Sequence, residues 1–169
     1  MNSTVMSLGL VVAATVILDA PCSCNAQTVR TPYHGISTFV EDADLGRQWI
    51  SDGVLHIRNS RQIWFDDADD PRVRGNVTLT INVNFRLVPF PVFGHGPMWG
   101  AVHIENAGGS WEGTWFGERT MQGHSFVRLV LKGAGGYDGL LARAEYTRRS
   151  PDPTKPFDFV GAIIQTPAN

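Results

Sequence analysis

The sequence predicts an all-β protein, built as a single antiparallel β-barrel of about eight to nine strands in meander order. Apolar and polar residues alternate without a break over residues 77–87, a period of two that fits a strand and no helix. Eighteen glycines and ten prolines supply turns between short strands, and the strands lack the spacing of βαβ units. A two-sheet sandwich is the alternative architecture.

Further candidate strands flank this segment, separated by turn residues such as Asp52-Gly53 and Gln122-Gly123. They cover residues 36–41, 47–51, 54–58, 61–66, 99–105, 110–119, 124–132, 137–148 and 157–165. The segment 88–99 carries three prolines, so it is not expected to form a central strand. Its apolar residues suit either a lid over a barrel mouth or a plug beneath one end.

Residues 110–118 favour a barrel interior. Trp111, Gly113, Trp115 and Gly117 share one face of the predicted strand, and Glu112 lies on the other face. Side chains that alternate between very large and absent fit a tapering interior, because a glycine leaves room for a neighbouring ring. The tryptophans are expected to pack in the core, and the alternative is a stacking platform for a flat ligand.

Residues 1–26 are predicted to be a signal peptide, which leaves residues 27–169 as the single mature domain. Residues 8–18 form an uninterrupted apolar run, which is too short to cross a bilayer as a helix. Cys24 and Ala26 are small residues at the positions that a signal peptidase tests, so cleavage is expected after Ala26. The segment before the run has no Lys or Arg, which departs from the usual pattern. The product is then expected to be secreted, or periplasmic in a Gram-negative source, without a membrane anchor.

Residues 133–139 concentrate four glycines, a composition shared by phosphate-binding loops and by tight turns. A phosphate-binding loop needs a strand before it and a helix after it. Residues 140–146 instead alternate like a second strand. The cluster is therefore predicted to turn a hairpin, where glycine permits positive backbone angles.

This glycine-rich hairpin, Gly133-Ala-Gly135-Gly136-Tyr137-Asp138-Gly139, resembles the corresponding hairpin of allene oxide cyclases and of dirigent proteins. Those families share an antiparallel barrel with a hydrophobic pocket, and they are secreted or targeted to organelles. The resemblance implies a calycin-like or allene-oxide-cyclase-like barrel with an apolar cavity. It implies no reaction and transfers no catalytic residue.

Two other clusters carry ionisable side chains. His103 and Glu105 share one face of a predicted strand, a spacing that suits an acid–base pair or two metal ligands, although exposed strand residues explain it more simply. No third ligand stands at a diagnostic spacing, so neither a metal nor a cofactor is expected. Residues 65–71 hold four aspartates, which are expected to form a solvated acidic turn rather than a calcium site.

The function expected from these features is the binding of a small, largely apolar molecule inside a secreted barrel. The expected contacts are the aromatic residues Trp99, Trp111, Trp115 and Tyr137. An alternative, less favoured than binding alone, is a cyclase- or isomerase-type enzyme that uses the same cavity with His103 and Glu105 as acid and base. A further alternative is an inert structural protein with a filled barrel. The formal net charge of −2 argues against a nucleic-acid partner, and the sequence gives no oligomeric state.

Overall fold

The computed structural model describes residues 28–88, 93–152 and 155–165. Within these ranges the chain is all-β, with nine strands in one antiparallel sheet and no helix. It follows that the described ranges contain no helix long and apolar enough to span a membrane. The predicted signal peptide lies outside the described residues.

The strands are numbered in chain order. Their bounds are β1 Val29–Asp44, β2 Arg47–Ser51, β3 Val54–Ala68, β4 Gly75–Val88, β5 Phe93–Asn106, β6 Gly109–Arg119, β7 Ser125–Gly135, β8 Leu140–Arg148 and β9 Phe157–Gln165. In space they follow the order β1-β9-β8-β7-β6-β5-β4-β3-β2.

The sheet closes into a ring because β1 pairs with two strands. Its first half lies against β9, and its second half lies against β3, from Gly35 opposite Ala68 to Asp44 opposite Arg61. β2 pairs with the first half of β3, so β1 and β2 occupy the same edge of that strand. The fold class predicted from the sequence is thus confirmed as all-β, antiparallel and closed.

The alternation over residues 77–87 forms β4, as predicted. Its odd-numbered side chains point to the interior of the ring, and two of them, Val77 and Val83, are each 3% exposed. The polar residues between them point outward, because successive side chains of a strand lie on opposite faces. Period two therefore assigned the inner face of this strand correctly.

The tryptophan–glycine face of β6 also points inward, as predicted. Trp115 donates its indole N–H to the carbonyl oxygens of Thr80 and Ala101, each at 3.2 Å. The neighbouring strand carries Gly100, where a Cβ would overlap the Thr80 oxygen and lie 3.0 Å from Trp115 Nε1. The absent side chain therefore makes room for the indole ring.

The glycine cluster turns the β7–β8 hairpin, which confirms that prediction. β7 ends at Gly135 and β8 begins at Leu140. Gly135 has a φ of 65° and Gly139 a φ of 79°, values that glycine adopts without the steric cost of a side chain. No helix follows the cluster in the described chain, so the arrangement that a phosphate-binding loop requires is missing there.

Residues 54–58 and 61–66 belong to one strand, so the prediction of two strands with a turn between them is wrong. β3 continues through both segments, and its register with β4 shifts between Ile57 and Ser60. Asn59 sits in the shift with a φ of 56°, and its N–H donates to Asn82 Oδ1 at 3.1 Å. The asparagine forms a β-bulge, which uses the same left-handed conformation as a turn.

β5 begins at Phe93, which corrects the expectation that segment 88–99 contains no central strand. The pairing of β4 with β5 passes from Val83 opposite Met98 to Arg86 opposite His95. Pro97 lies in this interval, where its missing N–H removes no bond from that ladder. Residues 89–92, within the segment expected to form a lid or plug, lie outside the described residues.

Side chains fill one half of the ring interior, which we call the packed half. It adjoins the β5–β6 and β7–β8 hairpins and is built around Trp111, which is fully buried. The Trp111 ring stacks on Tyr137 with centroids 5.2 Å apart, and its N–H donates to Arg72 O at 2.7 Å. Tyr137 in turn donates to Asn106 Oδ1 at 2.6 Å. This end of the ring is therefore closed by the protein's own rings and hydrogen bonds.

Candidate functional site

A cavity of about 390 Å³ occupies the other half of the ring interior, which we call the hollow half. All strands except β2 contribute side chains to its wall. The wall reaches Arg119, Ser125 and Arg148, which stand next to the 120–124 and 149–156 connections. Its volume falls within the roughly 300–1,000 Å³ of small-molecule sites in proteins.

Most of the cavity wall is apolar. Six side chains line the cavity and pack on the buried core while remaining only partly buried themselves: Phe39, Leu79, Ile81, Met98, Val127 and Phe157. Trp64 completes an aromatic corner, because Phe39 and Phe157 meet its ring edge-to-face at 5.4 and 5.5 Å. An apolar molecule in the cavity would remove this surface from water, which is favourable in proportion to the area covered.

A buried carboxyl group interrupts the apolar wall. Asp66 on β3 is 1% exposed, and its Oδ2 accepts a hydrogen bond of 2.5 Å from the Tyr146 hydroxyl of β8. Oδ1 is buried and has no hydrogen-bond partner of good geometry among the described protein groups. The nearby Ser37 hydroxyl nevertheless lowers the pKa of the carboxyl group. β3 and β8 are separated in the sheet by β1 and β9. The hydrogen bond between Asp66 and Tyr146 thus joins them across the interior of the ring.

The low polarity around Asp66 changes its chemistry. Burial raises the pKa of Asp66 from 3.8 to about 6, and the nearby Ser37 hydroxyl and the hydrogen bond from Tyr146 offset part of that rise. Burial likewise raises the pKa of Tyr146 well above its ordinary value, and the Asp66 charge adds to the effect. At neutral pH the pair is therefore an ionised carboxylate that accepts a hydrogen bond from a neutral phenol.

Two arginines elsewhere on the cavity wall supply the opposite charge. Arg148 is 7% exposed and donates to Ser125 Oγ at 3.4 Å, while its guanidinium lies 4.7 Å from the Phe157 ring centre. Burial lowers the pKa of Arg148 to about 10, with a further lowering from Arg119 and an opposing effect of Asp152. Arg119 donates to Pro151 O at 2.9 Å, and burial lowers its pKa as well. Arg148 stays cationic at neutral pH with a pKa of this size.

The four aromatic residues predicted to bind ligand do not come together. Trp115 lines the cavity. Trp111 and Tyr137 stack on each other in the packed half. Trp99 lies on the outer face of β5, 36% exposed, with the Arg58 guanidinium 5.1 Å from its ring centre. Of the four, only Trp115 is positioned to touch a molecule in the cavity.

His103 and Glu105 lie on the outer face of β5, away from the cavity. His103 Nδ1 is 2.6 Å from Glu112 Oε1, and its Nε2 is 3.6 Å from Glu105 Oε2. The side chains are between 36% and 74% exposed. The three residues form a surface cluster, and the described part of the chain gathers no group of three or more side chains suited to hold a metal ion.

The expectation of a solvated acidic turn over residues 65–71 is wrong for Asp66. The other three aspartates contact basic side chains of β1 or of the β3–β4 connection. Asp66 is different because β3 extends to Ala68, so its alternation carries the side chain inward two residues after Trp64. The predicted strand 61–66 already contained Asp66, and its period-two face, followed from Trp64, was the signal that could have identified it.

Arg148 was missed for a similar reason. The inward positions of β8 are Ala142, Ala144 and Tyr146, and the next one along the strand is Arg148. An arginine at a strand end ordinarily lies in solvent, so its residue type alone does not indicate an inward position. Its position two residues beyond Tyr146 indicates the inner face.

Comparison with protein-family models, with curated proteins and with solved structures gives no match to this chain.

Proposed function

We propose that this chain is a secreted β-barrel protein whose interior binds a small, largely apolar molecule. The observation that carries the proposal is the cavity of about 390 Å³ with its apolar wall in the hollow half. A barrel of about eight strands has an interior that either fills with side chains or holds one small ligand. The proposed site is this cavity, with Trp115 and Phe157 among its contacts.

The cavity favours binding over a filled, inert barrel on energetic grounds. Residual cavity volume in a protein core lowers stability by about 24 cal/mol per Å³, so a closed and empty space of this size would cost roughly 9 kcal/mol by the same slope. A structural protein gains nothing from that cost. A bound apolar molecule offsets it by restoring contacts along the wall.

Secretion and the family resemblance belong to this proposal on sequence grounds. The apolar run and the small residues before position 27 support a signal peptide. The glycine-rich hairpin supports an allene-oxide-cyclase-like or dirigent-like barrel. Catalysis is not included, because His103 and Glu105 lie outside the cavity.

Filling the cavity tests the proposal. Val127 points into the cavity, whereas Val130 points outward on the same strand and is 47% exposed. We expect saturable binding of the fluorescent apolar probe N-phenylnaphthylamine to the protein. Val127→Phe should weaken that binding about tenfold or more, because the added ring occupies the same space. Val130→Phe is the matched control and should leave the probe affinity unchanged.

Removing a wall residue gives a second measurement. Trp115→Ala should weaken probe binding more than Glu112→Ala, because the two side chains lie on opposite faces of β6. Urea denaturation of each variant confirms that it is folded before binding is compared. The proposal is overturned if the folded protein binds no apolar probe at sub-millimolar concentration, or if Val127→Phe binds as well as the control.

A further inference from the structure

We propose that the ligand of the cavity carries a neutral hydroxyl group, which donates a hydrogen bond to Oδ1 of Asp66. The inference rests on the proposed function, because it assigns a chemical class to the molecule that occupies the same cavity. It concerns the part of the largely apolar lining where the Asp66 carboxyl group stands.

Asp66 belongs to the cavity wall, and its geometry leaves one buried carboxylate oxygen without a protein partner. Tyr146 donates to Oδ2, and Oδ1 has no hydrogen-bond partner of good geometry among the described protein groups. An ionised carboxylate has about four lone-pair sites for hydrogen bonds. A buried polar atom without a partner costs about 1–3 kcal/mol, and more when the group is charged. A donor on the ligand removes that cost and fixes the orientation of the ligand.

The charges around the cavity select a neutral donor. A ligand ammonium would be attracted to Asp66 but repelled by Arg119 and Arg148, which line the same cavity. A ligand carboxylate would be attracted to the two arginines, but it would be repelled by Asp66 and could not donate a hydrogen bond to it. A hydroxyl group carries no net charge and can donate, so it fits Asp66 without opposing the arginines.

The protonation state of Asp66 supports the same assignment. Tyr33 and Ser37 of β1 and Tyr146 of β8 face the carboxyl, and the raised pKa values of both tyrosines keep them neutral. Arg119 and Arg148 lie further along the wall. With a pKa of about 6, Asp66 is ionised at neutral pH and accepts charge-assisted hydrogen bonds.

The test compares two probes that differ only in this group. Naphthol and methylnaphthalene, substituted at the same ring position, are measured by displacement of N-phenylnaphthylamine from the wild-type protein. Methylnaphthalene is the more apolar of the two, so a purely apolar cavity would bind it more tightly. At about pH 8 we expect naphthol to bind about tenfold more tightly, as a hydrogen bond to a charged group predicts.

Two further measurements sharpen the test. If Tyr146 keeps its bond to the amide oxygen, Asp66→Asn presents a neutral N–H₂ group, from which the naphthol oxygen can still accept a hydrogen bond. Because the charge is lost, the preference for naphthol should shrink severalfold. Asp42→Asn, a substitution at the other aspartate of the cavity wall, should keep it. In the wild-type protein the preference should shrink at about pH 5, where Asp66 is protonated and the hydrogen bond loses its charge.

The outcomes separate this inference from the proposed function. If both probes bind but methylnaphthalene is preferred or equal at about pH 8, the hydroxyl assignment is overturned and the apolar binding function stands. If the preference survives undiminished in a folded Asp66→Asn variant, the naphthol hydroxyl contacts another group and the assignment to Oδ1 is wrong. If neither probe displaces N-phenylnaphthylamine, or the latter does not bind, the proposed function itself fails.

Discussion

The two halves of the ring interior are built from the same strands but are filled differently. On the inner face of β6, Trp111 lies in the packed half and Trp115 lines the cavity. On β7, Leu131 and Leu129 differ in the same way, and both are at least 96% buried, with exposures of 1% and 4%. Low exposure therefore does not distinguish the two halves, since side chains on a cavity wall are hidden as well.

The difference lies in what each side chain touches across the ring. In the packed half, the β3–β4 connection buries its own Val73, which is 2% exposed and belongs to the core cluster. Asn106 holds that connection through its side-chain amide, which donates to the carbonyls of Arg72 and Arg74 at 3.1 and 3.0 Å. In the hollow half, the cavity separates the inward side chains from those on the opposing wall. The packed half is thus suited to stabilise the fold and the hollow half to hold a ligand.

The largest expected effect comes from shortening the two leucines of β7. Leu131→Ala should lower the free energy of unfolding by about 3–5 kcal/mol, because it opens a new void in close-packed surroundings. Leu129→Ala should cost about 2 kcal/mol, because it enlarges a cavity that already exists and loses mainly the transfer free energy of the removed groups. Urea denaturation at one pH measures both values. Equal losses would mean that the hollow half is packed as tightly as the other half.

Acid should stabilise the hollow half through Asp66. Its pKa is raised from 3.8 to about 6, so between these values the folded protein holds a proton that the unfolded chain has lost. Stability should therefore rise as the pH falls from about 6 to about 4, by up to roughly 3 kcal/mol from this group. The lowered pKa of Asp70, which is hydrogen-bonded to Arg72, acts with the opposite sign and only at more acidic pH.

Urea denaturation across this pH range measures the effect, with Asp66→Asn as the comparison. The variant cannot take up the proton, so its stability should change less over the same range. A wild-type protein whose stability falls steadily from neutral pH to about pH 4 would contradict the burial of an ionised Asp66.

The sequence predicted the fold where one local pattern decides it. The alternation of β4, the tryptophan–glycine face of β6 and the glycine-rich hairpin each depend on neighbours within about ten residues. Asn59 could not be assigned in this way, because asparagine with positive φ serves both a turn and a bulge. Only the pairing of both flanking segments with β4 distinguishes the two.

The site was less predictable than the fold because it depends on which inward positions meet across the ring. Asp66 and Tyr146 are 80 residues apart in sequence, and nothing local to either residue indicates the other. Three tryptophans look equivalent by residue type but lie in different places. Trp99 lies on the outer face, Trp111 lies in the packed half, and Trp115 lies on the cavity wall. The alternation along a strand predicts which face of the sheet a side chain lies on. Its contacts across the ring depend on the register of the strands and on the shape of the closed sheet.

The smallest expected effect concerns the outer face, where His103 contacts Glu105 and Glu112. Exposed pairs of this kind contribute about 0–1 kcal/mol, because water and salt screen them and the side chains lose freedom in pairing. His103→Ala should therefore change the free energy of unfolding by less than about 1 kcal/mol and leave probe binding unchanged, since Ala101 and His103 share a face that points away from the cavity. Urea denaturation measures the free energy of unfolding of His103→Ala, and probe displacement measures its binding. Leu131→Ala, measured in the same way, is the comparison. A loss of binding in a stably folded His103→Ala protein would place a functional site on the outer face, and the acid–base alternative would then replace the interior as the first hypothesis to pursue.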